Sequence, residues 1–333
     1  MRILSYLLCA ACAGTLASCY HEIDLDKYRQ EGGSDLLTLN SLVSPDSTVK
    51  VAATRPYFFS DEHNKRDVVK GLDIRLTVNG KDCGTMVFDP GRQLYVSDVK
   101  SKSGDKIELS TLYRDSEVTA SDVVPHAPRI ESITAERQGP VHVYYDNDFI
   151  ITYRITFDER PGEGDYYFLQ WDMVRRLYGD PHPQGLTMGT RDFTYEFVFN
   201  KLAEEIHGTL PGWEPYSPEG LPFSDKGIDG KKHTLVLKEV IQGIERVDSR
   251  TAMERRFFLY SISKPYYDYL VSMLINCTDD KGLEGGLIDL GIADPVKVYS
   301  NIRGGLGILG SYAMAPADTI DVISLTGPFP DNY

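Results

Sequence analysis

Between Leu36 and Val124 apolar residues recur at every second position over short runs. Leu72, Ile74, Leu76 and Val78 alternate with Asp73, Arg75 and Thr77, which is the period of a strand with one buried face. Asn79-Gly80 follows, and both residues tolerate positive φ, so Cys83 to Phe88 is read as the returning strand of a hairpin. Further strands are predicted at Val49 to Ala53, Leu94 to Val96 and Ile107 to Leu112, the last entered by a Gly104-Asp105 turn. Short strands at this spacing predict an immunoglobulin-like β-sandwich over residues 36–124.

Pro125-His126-Ala127-Pro128 marks a boundary, because closely spaced prolines cannot continue a ladder. A second, β-rich domain is predicted over residues 125–333. Its strands are read near Phe149 to Phe157, Tyr166 to Met173, Phe193 to Phe199, His233 to Lys238, Arg256 to Ile262 and Val296 to Ser300. One segment has the helical period instead. After Lys264-Pro265, residues Tyr266, Tyr269, Leu270, Met273 and Leu274 fall at i, i+3, i+4, i+7 and i+8, predicting one amphipathic helix whose apolar stripe faces the core. The stretch from His207 to Lys232 is rich in Gly, Pro, Ser and Asp and carries two aromatics, Trp213 and Tyr216. Long irregular segments are often functional, and these two are the candidate ligand-binding residues. They either fold back onto the domain as a lid for its core or stand out as a contact patch.

The first residues carry a different pattern. Arg2 precedes an apolar run from Ile3 to Ala17 broken only by Ser5, Gly14 and Thr15. This matches the basic and apolar regions of a secretory signal, and it is shorter than the roughly 20 residues that span a bilayer as a helix. Leu16-Ala17-Ser18-Cys19 resembles the lipobox of bacterial lipoproteins. Residues 1–18 are accordingly read as a lipoprotein signal peptide and Cys19 as the lipid-attachment site, which makes membrane lipid the first expected partner. An ordinary signal peptide with a cysteine near its cleavage site is the alternative. Residues 19–35 read as an acidic tether, with Glu22, Asp24 and Asp26 just after the cysteine, or as an alternating first strand.

Composition narrows the function. Removal of residues 1–18 takes away one basic residue and leaves a charge balance of −15. A nucleic-acid partner is not expected, since phosphate binding needs a concentrated basic surface. The 21 tyrosines favour strands and also suit recognition surfaces. Of the five cysteines only Cys83 and Cys277 remain once the signal is cleaved and Cys19 acylated. They are read as two separate buried thiols, with a disulfide as the alternative.

No catalytic constellation emerges. Gly305-Leu306-Gly307-Ile308-Leu309-Gly310 satisfies GxGxxG, but Pro316 follows too soon for the helix that a dinucleotide site requires. Its glycines are read as allowing a tight turn or close backbone packing. The histidines never fall at HxH or HxxxH spacing, and Asp146-Asn147-Asp148 lacks the glycine and distal glutamate of a calcium loop. No cofactor, metal or catalytic residue is therefore expected.

Several features recur in order along the chain. They are the lipobox and acidic tether, the first sandwich, Phe223-Ser224-Asp225-Lys226-Gly227-Ile228-Asp229-Gly230, the Tyr266-Tyr267-Asp268-Tyr269 helix, and Tyr299-Ser300-Asn301-Ile302-Arg303-Gly304-Gly305-Leu306-Gly307. Together they resemble the Bacteroidota lipoprotein family known as domain of unknown function 4249. The resemblance implies a cell-envelope lipoprotein working beside TonB-dependent outer-membrane transporters in nutrient uptake, and the acidic residues just after Cys19, which resemble the surface-export signals of such lipoproteins, make exposure at the outer-membrane surface the expectation. The expected role is a non-enzymatic binding or accessory subunit for a transporter, a glycan or a peptide. A fimbrillin-like structural or adhesion subunit is the alternative, disfavoured by Pro328 and Pro330, which make the final residues a poor donor strand.

Overall fold

The computed structural model describes residues 36–56, 67–143, 148–162, 164–177, 184–186, 196–207, 220–241, 251–277, 297–315 and 318–321. The protein is mainly β, as the alternating patterns predict. The first strands are β1 (Thr38–Val43), β2 (Thr48–Thr54), β3 (Arg75–Val78), β4 (Lys81–Thr85), β5 (Val87–Asp89), β6 (Leu94–Lys100), β7 (Lys106–Tyr113) and β8 (Ser116–Val123). The sheet β4-β3-β7-β8 faces β1-β2-β6-β5 across one core. Leu39, Val49, Val51, Leu76, Ile107 and Leu109 are almost wholly buried there.

The predicted hairpin at Asn79-Gly80 is present, with φ of 52° and 76°. Its returning strand, however, divides. β4 pairs with β3, whereas β5 pairs with β6 in the facing sheet. Met86 makes the crossing: its side chain is buried and its N–H donates to the Ile74 carbonyl at 2.8 Å.

Next come β9 (Arg129–Val141), β10 (Asp148–Asp158), β11 (Tyr166–Leu177), β12 (Gln184–Leu186), helix α1 (Phe197–His207), β13 (Gly220–Ser224), β14 (Lys232–Ile241) and β15 (Thr251–Ile262). Helix α2 (Lys264–Cys277), β16 (Leu306–Met314) and β17 (Asp318–Asp321) follow. The sheet β14-β10-β9 covers the inner face of β11 and β15. Tyr153, Phe157, Tyr167, Trp171, Phe223 and Phe257 fill the space between them. Phe157 meets Tyr167 and Phe223 edge-on, with centroids at 5.4 and 6.2 Å, the geometry favoured by the ring quadrupole.

Three sequence expectations change. Phe197 to Phe199, read as strand, open helix α1, so the described residues hold two helices where one was expected. The reason is spacing: Val198, Phe199 and Leu202 are buried and Ile206 packs beside them, at i, i+1, i+4 and i+8. Residues 297–300 are not a strand. The irregular stretch from His207 to Lys232 contains a strand, β13, whose residues are all buried.

The helix predicted after Lys264-Pro265 is present as α2. Ser263 caps it, its Oγ accepting the Tyr266 N–H at 3.4 Å and the Ser311 N–H at 3.1 Å. Cys83 forms no disulfide and is half-buried, not fully buried as expected. The Cys277 side chain lies outside the described residues.

β16 joins everything. It runs parallel to β1, from Thr38 opposite Leu306 to Val43 opposite Ser311, and antiparallel to β15. A single ten-stranded sheet therefore passes through both sandwiches. Leu309 of β16 and Ile302 just before it are buried in the first core, although they lie far beyond the proline-rich segment. The glycines of the 304–310 run explain the fit. A Cβ at Gly307, whose φ is +103°, would run into the Leu39 carbonyl, and one at Gly305 would meet the Leu37 carbonyl at 2.5 Å. This is the close backbone packing expected of the GxGxxG run.

Candidate binding groove at the junction

The run Tyr299 to Arg303 leads into β16 and lies along the free edge of β8. Arg303 and Thr119 exchange backbone hydrogen bonds at 2.8 and 3.0 Å. The Asn301 amide acts as a short strand, donating from Nδ2 to the Leu309 carbonyl at 2.8 Å and accepting the Leu309 N–H at 2.9 Å. These bonds fix the loop as a wall standing beside the outer face of β3, β7 and β8.

Wall and sheet enclose an open groove of about 830 Å3. Its floor is set by the period of the strands. Thr77 lies opposite Glu108, Glu108 opposite Ser121, and Ser110 opposite Thr119, so these side chains share one face. Tyr299, Ser300, Asn301 and Arg303 form the wall, with Pro265 from the first turn of α2. Lys106 and Glu108 pair across 2.6 Å at one side. Arg303 makes no ion pair among the described residues and its side chain is exposed.

Directly behind the floor, on the opposite face of β8, sits Asp122. It is 6% exposed and its Oδ2 is buried without a hydrogen-bond partner. Burial pushes its carboxyl up from 3.8 to about 6, opposed by the hydroxyls of Ser263 and Ser311 and the Val123 N–H. No basic group contributes. A buried acid thus lies where β8 meets the start of α2 and β16.

A second cluster lies in the other sandwich. Glu159, Asp225 and Asp229 bring carboxylate oxygens within 4.8 Å of one another, a set that could hold a cation. Each already accepts donors, however. Asp225 Oδ2 takes the N–H groups of Gly164 and Asp165 at 2.9 and 3.0 Å, and Asp229 Oδ1 takes that of Gly162 at 2.9 Å. Glu159 accepts the Gly230 N–H and the Tyr167 hydroxyl, the latter at 3.1 Å. Desolvation raises the Glu159 and Asp165 carboxyls. The arrangement clamps the 159–165 turn to the Phe223–Gly230 segment, and sequence spacing could not reveal it because Glu159 is remote from Asp225 and Asp229.

The third polar feature is buried in the second core. Arg255 is fully enclosed and pairs with Glu239, which also accepts the Tyr153 hydroxyl at 2.8 Å. Arg255 Nη1 has no hydrogen-bond partner among the described residues. The Tyr153 hydroxyl is raised by desolvation and by the Glu239 charge.

Of the residues singled out from sequence, Cys19, Trp213 and Tyr216 lie outside the described residues, as do Asp146 and Asn147. The groove was not anticipated at all.

A sequence profile of the family described as domain of unknown function (DUF4249) matches residues 21–316. The chain belongs to this family. The Phe223–Gly230, Tyr266–Tyr269 and Tyr299–Gly307 segments all fall within the matched span, and in the fold they are a turn clamp, a capped helix and an inter-sandwich clasp. No curated protein matches the chain. Among solved structures there is a similarity to the serine-rich repeat adhesion glycoprotein (Srr1) from Streptococcus agalactiae, at 9% identity over 70% of this chain and 94% of that one. Its TM-score of 0.14 is too low to carry any argument.

Proposed function

We propose that the protein is an outer-membrane lipoprotein, held by an acylated Cys19, that serves as a non-enzymatic binding or accessory subunit of a TonB-dependent uptake system. The observation that carries the binding role is the junction groove. It is a polar recess between two interlocked sandwiches, walled by a loop held through the Arg303–Thr119 backbone bonds and the Asn301 amide, and concave, preformed recesses are where ligands usually bind. The lipobox at Leu16 to Cys19 supports the anchor, and the two or three acyl chains of a bacterial lipoprotein, at about 0.8 kcal/mol per buried methylene, would make it nearly permanent. Trp213 and Tyr216 are the contacts proposed for the transporter.

The fimbrillin-like alternative needs a strand able to leave its sheet. β16 is held inside the sheet, paired with β1 along residues 306–311 and with β15 along residues 312–314, which supports the accessory-subunit reading instead.

Two measurements test this function. Cys19→Ala should move the protein from the detergent phase to the aqueous phase on Triton X-114 partitioning; equal partitioning of variant and wild type would refute the anchor. Changing Trp213 and Tyr216 together to Ala should leave the melting temperature in place and weaken transporter capture. A fall in stability with capture intact would make them a lid.

A further inference from the structure

We propose that the junction groove binds an oligosaccharide carrying a carboxylate, with Arg303 as the group that recognises the acid. This deepens the proposed function and rests on its binding role.

The lining dictates the ligand class. The floor and wall present Thr77, Ser110, Thr119, Ser121 and Ser300, all short hydroxyl groups that both donate and accept. A ligand that satisfies them must itself offer donors and acceptors at close intervals, as sugar hydroxyls do. A peptide meets two obstacles. Its backbone would need an open strand edge, but the β8 edge is taken by Arg303 at Thr119, and the Asn301 amide reaches the Ser121 carbonyl at 3.4 Å. Its side chains would need apolar pockets, but the apolar lining residues Leu109, Ala120 and Ile302 belong to the buried core. Tyr299 supplies one half-exposed ring, enough to stack against the C–H face of a pyranose.

Charge selects further. The Lys106 ammonium is engaged by Glu108, leaving the Arg303 guanidinium as the cation of the groove with no ion-pair partner among the described residues. In a chain with a formal net charge of −14 such a spot stands out against its surroundings, and the planar fork of arginine matches a carboxylate bidentately. The Arg303 main chain is fixed by both of its bonds to Thr119, so the guanidinium is presented from a rigid base.

The test uses the full lipidated chain in detergent micelles and isothermal titration calorimetry. The probes are a tetramer of galacturonic acid, a glucuronate-containing hyaluronan tetrasaccharide, and neutral galactotetraose. At least one acidic probe should bind in the micromolar to millimolar range, and the neutral one at least about tenfold more weakly. Arg303→Gln should remove this preference, weakening the acidic probe about tenfold, while Tyr299→Ala should weaken both kinds. Arg303→Gln alters an exposed side chain and should leave the melting temperature unchanged, which separates lost recognition from lost fold. Absence of heat with both acidic probes at millimolar concentration would overturn the proposal. So would equal binding of acidic and neutral probes, or an affinity indifferent to Arg303→Gln. If the chain still co-purifies with a transporter in that case, the accessory-subunit reading stands and only the ligand class fails.

Discussion

Replacing Asp122 by Asn should stabilise the protein at neutral pH and not at acid pH. Asp122 carries its burden only when ionised: desolvation lifts its carboxyl from 3.8 to about 6, and no cation faces it. A group whose folded value is raised contributes stability that is complete below the unfolded value and is lost as pH climbs through the folded one. The window is therefore pH 4 to pH 6. A shift of about two units corresponds to about 3 kcal/mol, which is an upper estimate because partial hydration of the junction would relieve part of it. Asparagine keeps the shape, can bond to the Ser263 and Ser311 hydroxyls, and never ionises. Urea unfolding of both proteins at several pH values between 4 and 8, followed by tryptophan fluorescence, gives the difference in free energy. It should be near zero or slightly unfavourable to the variant at pH 4 and should grow in its favour by about 2 to 3 kcal/mol by pH 7.5. A difference that stays constant across this range would refute the assignment of Asp122 as a buried, unpaired acid.

Three other perturbations probe the rest of the frame. Gly307→Ala places a Cβ against the Leu39 carbonyl at a φ of +103°, so the β1–β16 pairing must give way; a loss of about 3 kcal/mol or more is expected, and an unchanged unfolding midpoint would contradict the close approach. Glu239→Gln leaves the Arg255 charge enclosed without its counter-ion and should cost about 3 to 5 kcal/mol, whereas the paired change to Glu239→Gln with Arg255→Met should recover much of it in the same denaturation assay. Asn301→Ala removes both amide bonds to Leu309 and should speed amide hydrogen exchange at the Leu309 N–H while the second core stays protected; uniform exchange in the two proteins would show that the clasp adds nothing.

The strands with one buried face were legible because burial alternates as the residues do. Val49 and Val51 lie in the core, as do Ile74 and Leu76, and the helix after Pro265 showed its own period. Other elements hid for physical reasons. β9 is an edge strand exposed along most of its thirteen residues, so no apolar alternation marks it. β13 reads as loop because Gly220 and Pro222 fall inside it, yet it is buried between β11 and helix α1. Helix α1 opens with Phe-Val-Phe, three residues that favour strands, and only its packing decides the matter. The groove was illegible in principle, since its floor comes from positions near 77, 108 and 120 that the pairing of β3, β7 and β8 brings together, and its wall from positions near 265 and 301 that only the fold sets beside them. Part of the Tyr299 to Gly307 run carries that assembly, and its residue types make sense only once the clasp is seen.

A lipid-anchored binding subunit of an uptake system should be found bound to its transporter. Affinity purification of the intact protein from its native outer membrane, with quantitative mass spectrometry against a Cys19→Ala control, tests this most directly. One TonB-dependent barrel should be recovered in near-stoichiometric amount with the wild type and lost from the control. Recovery of the wild-type protein without such a barrel, or as a homopolymer, would contradict it.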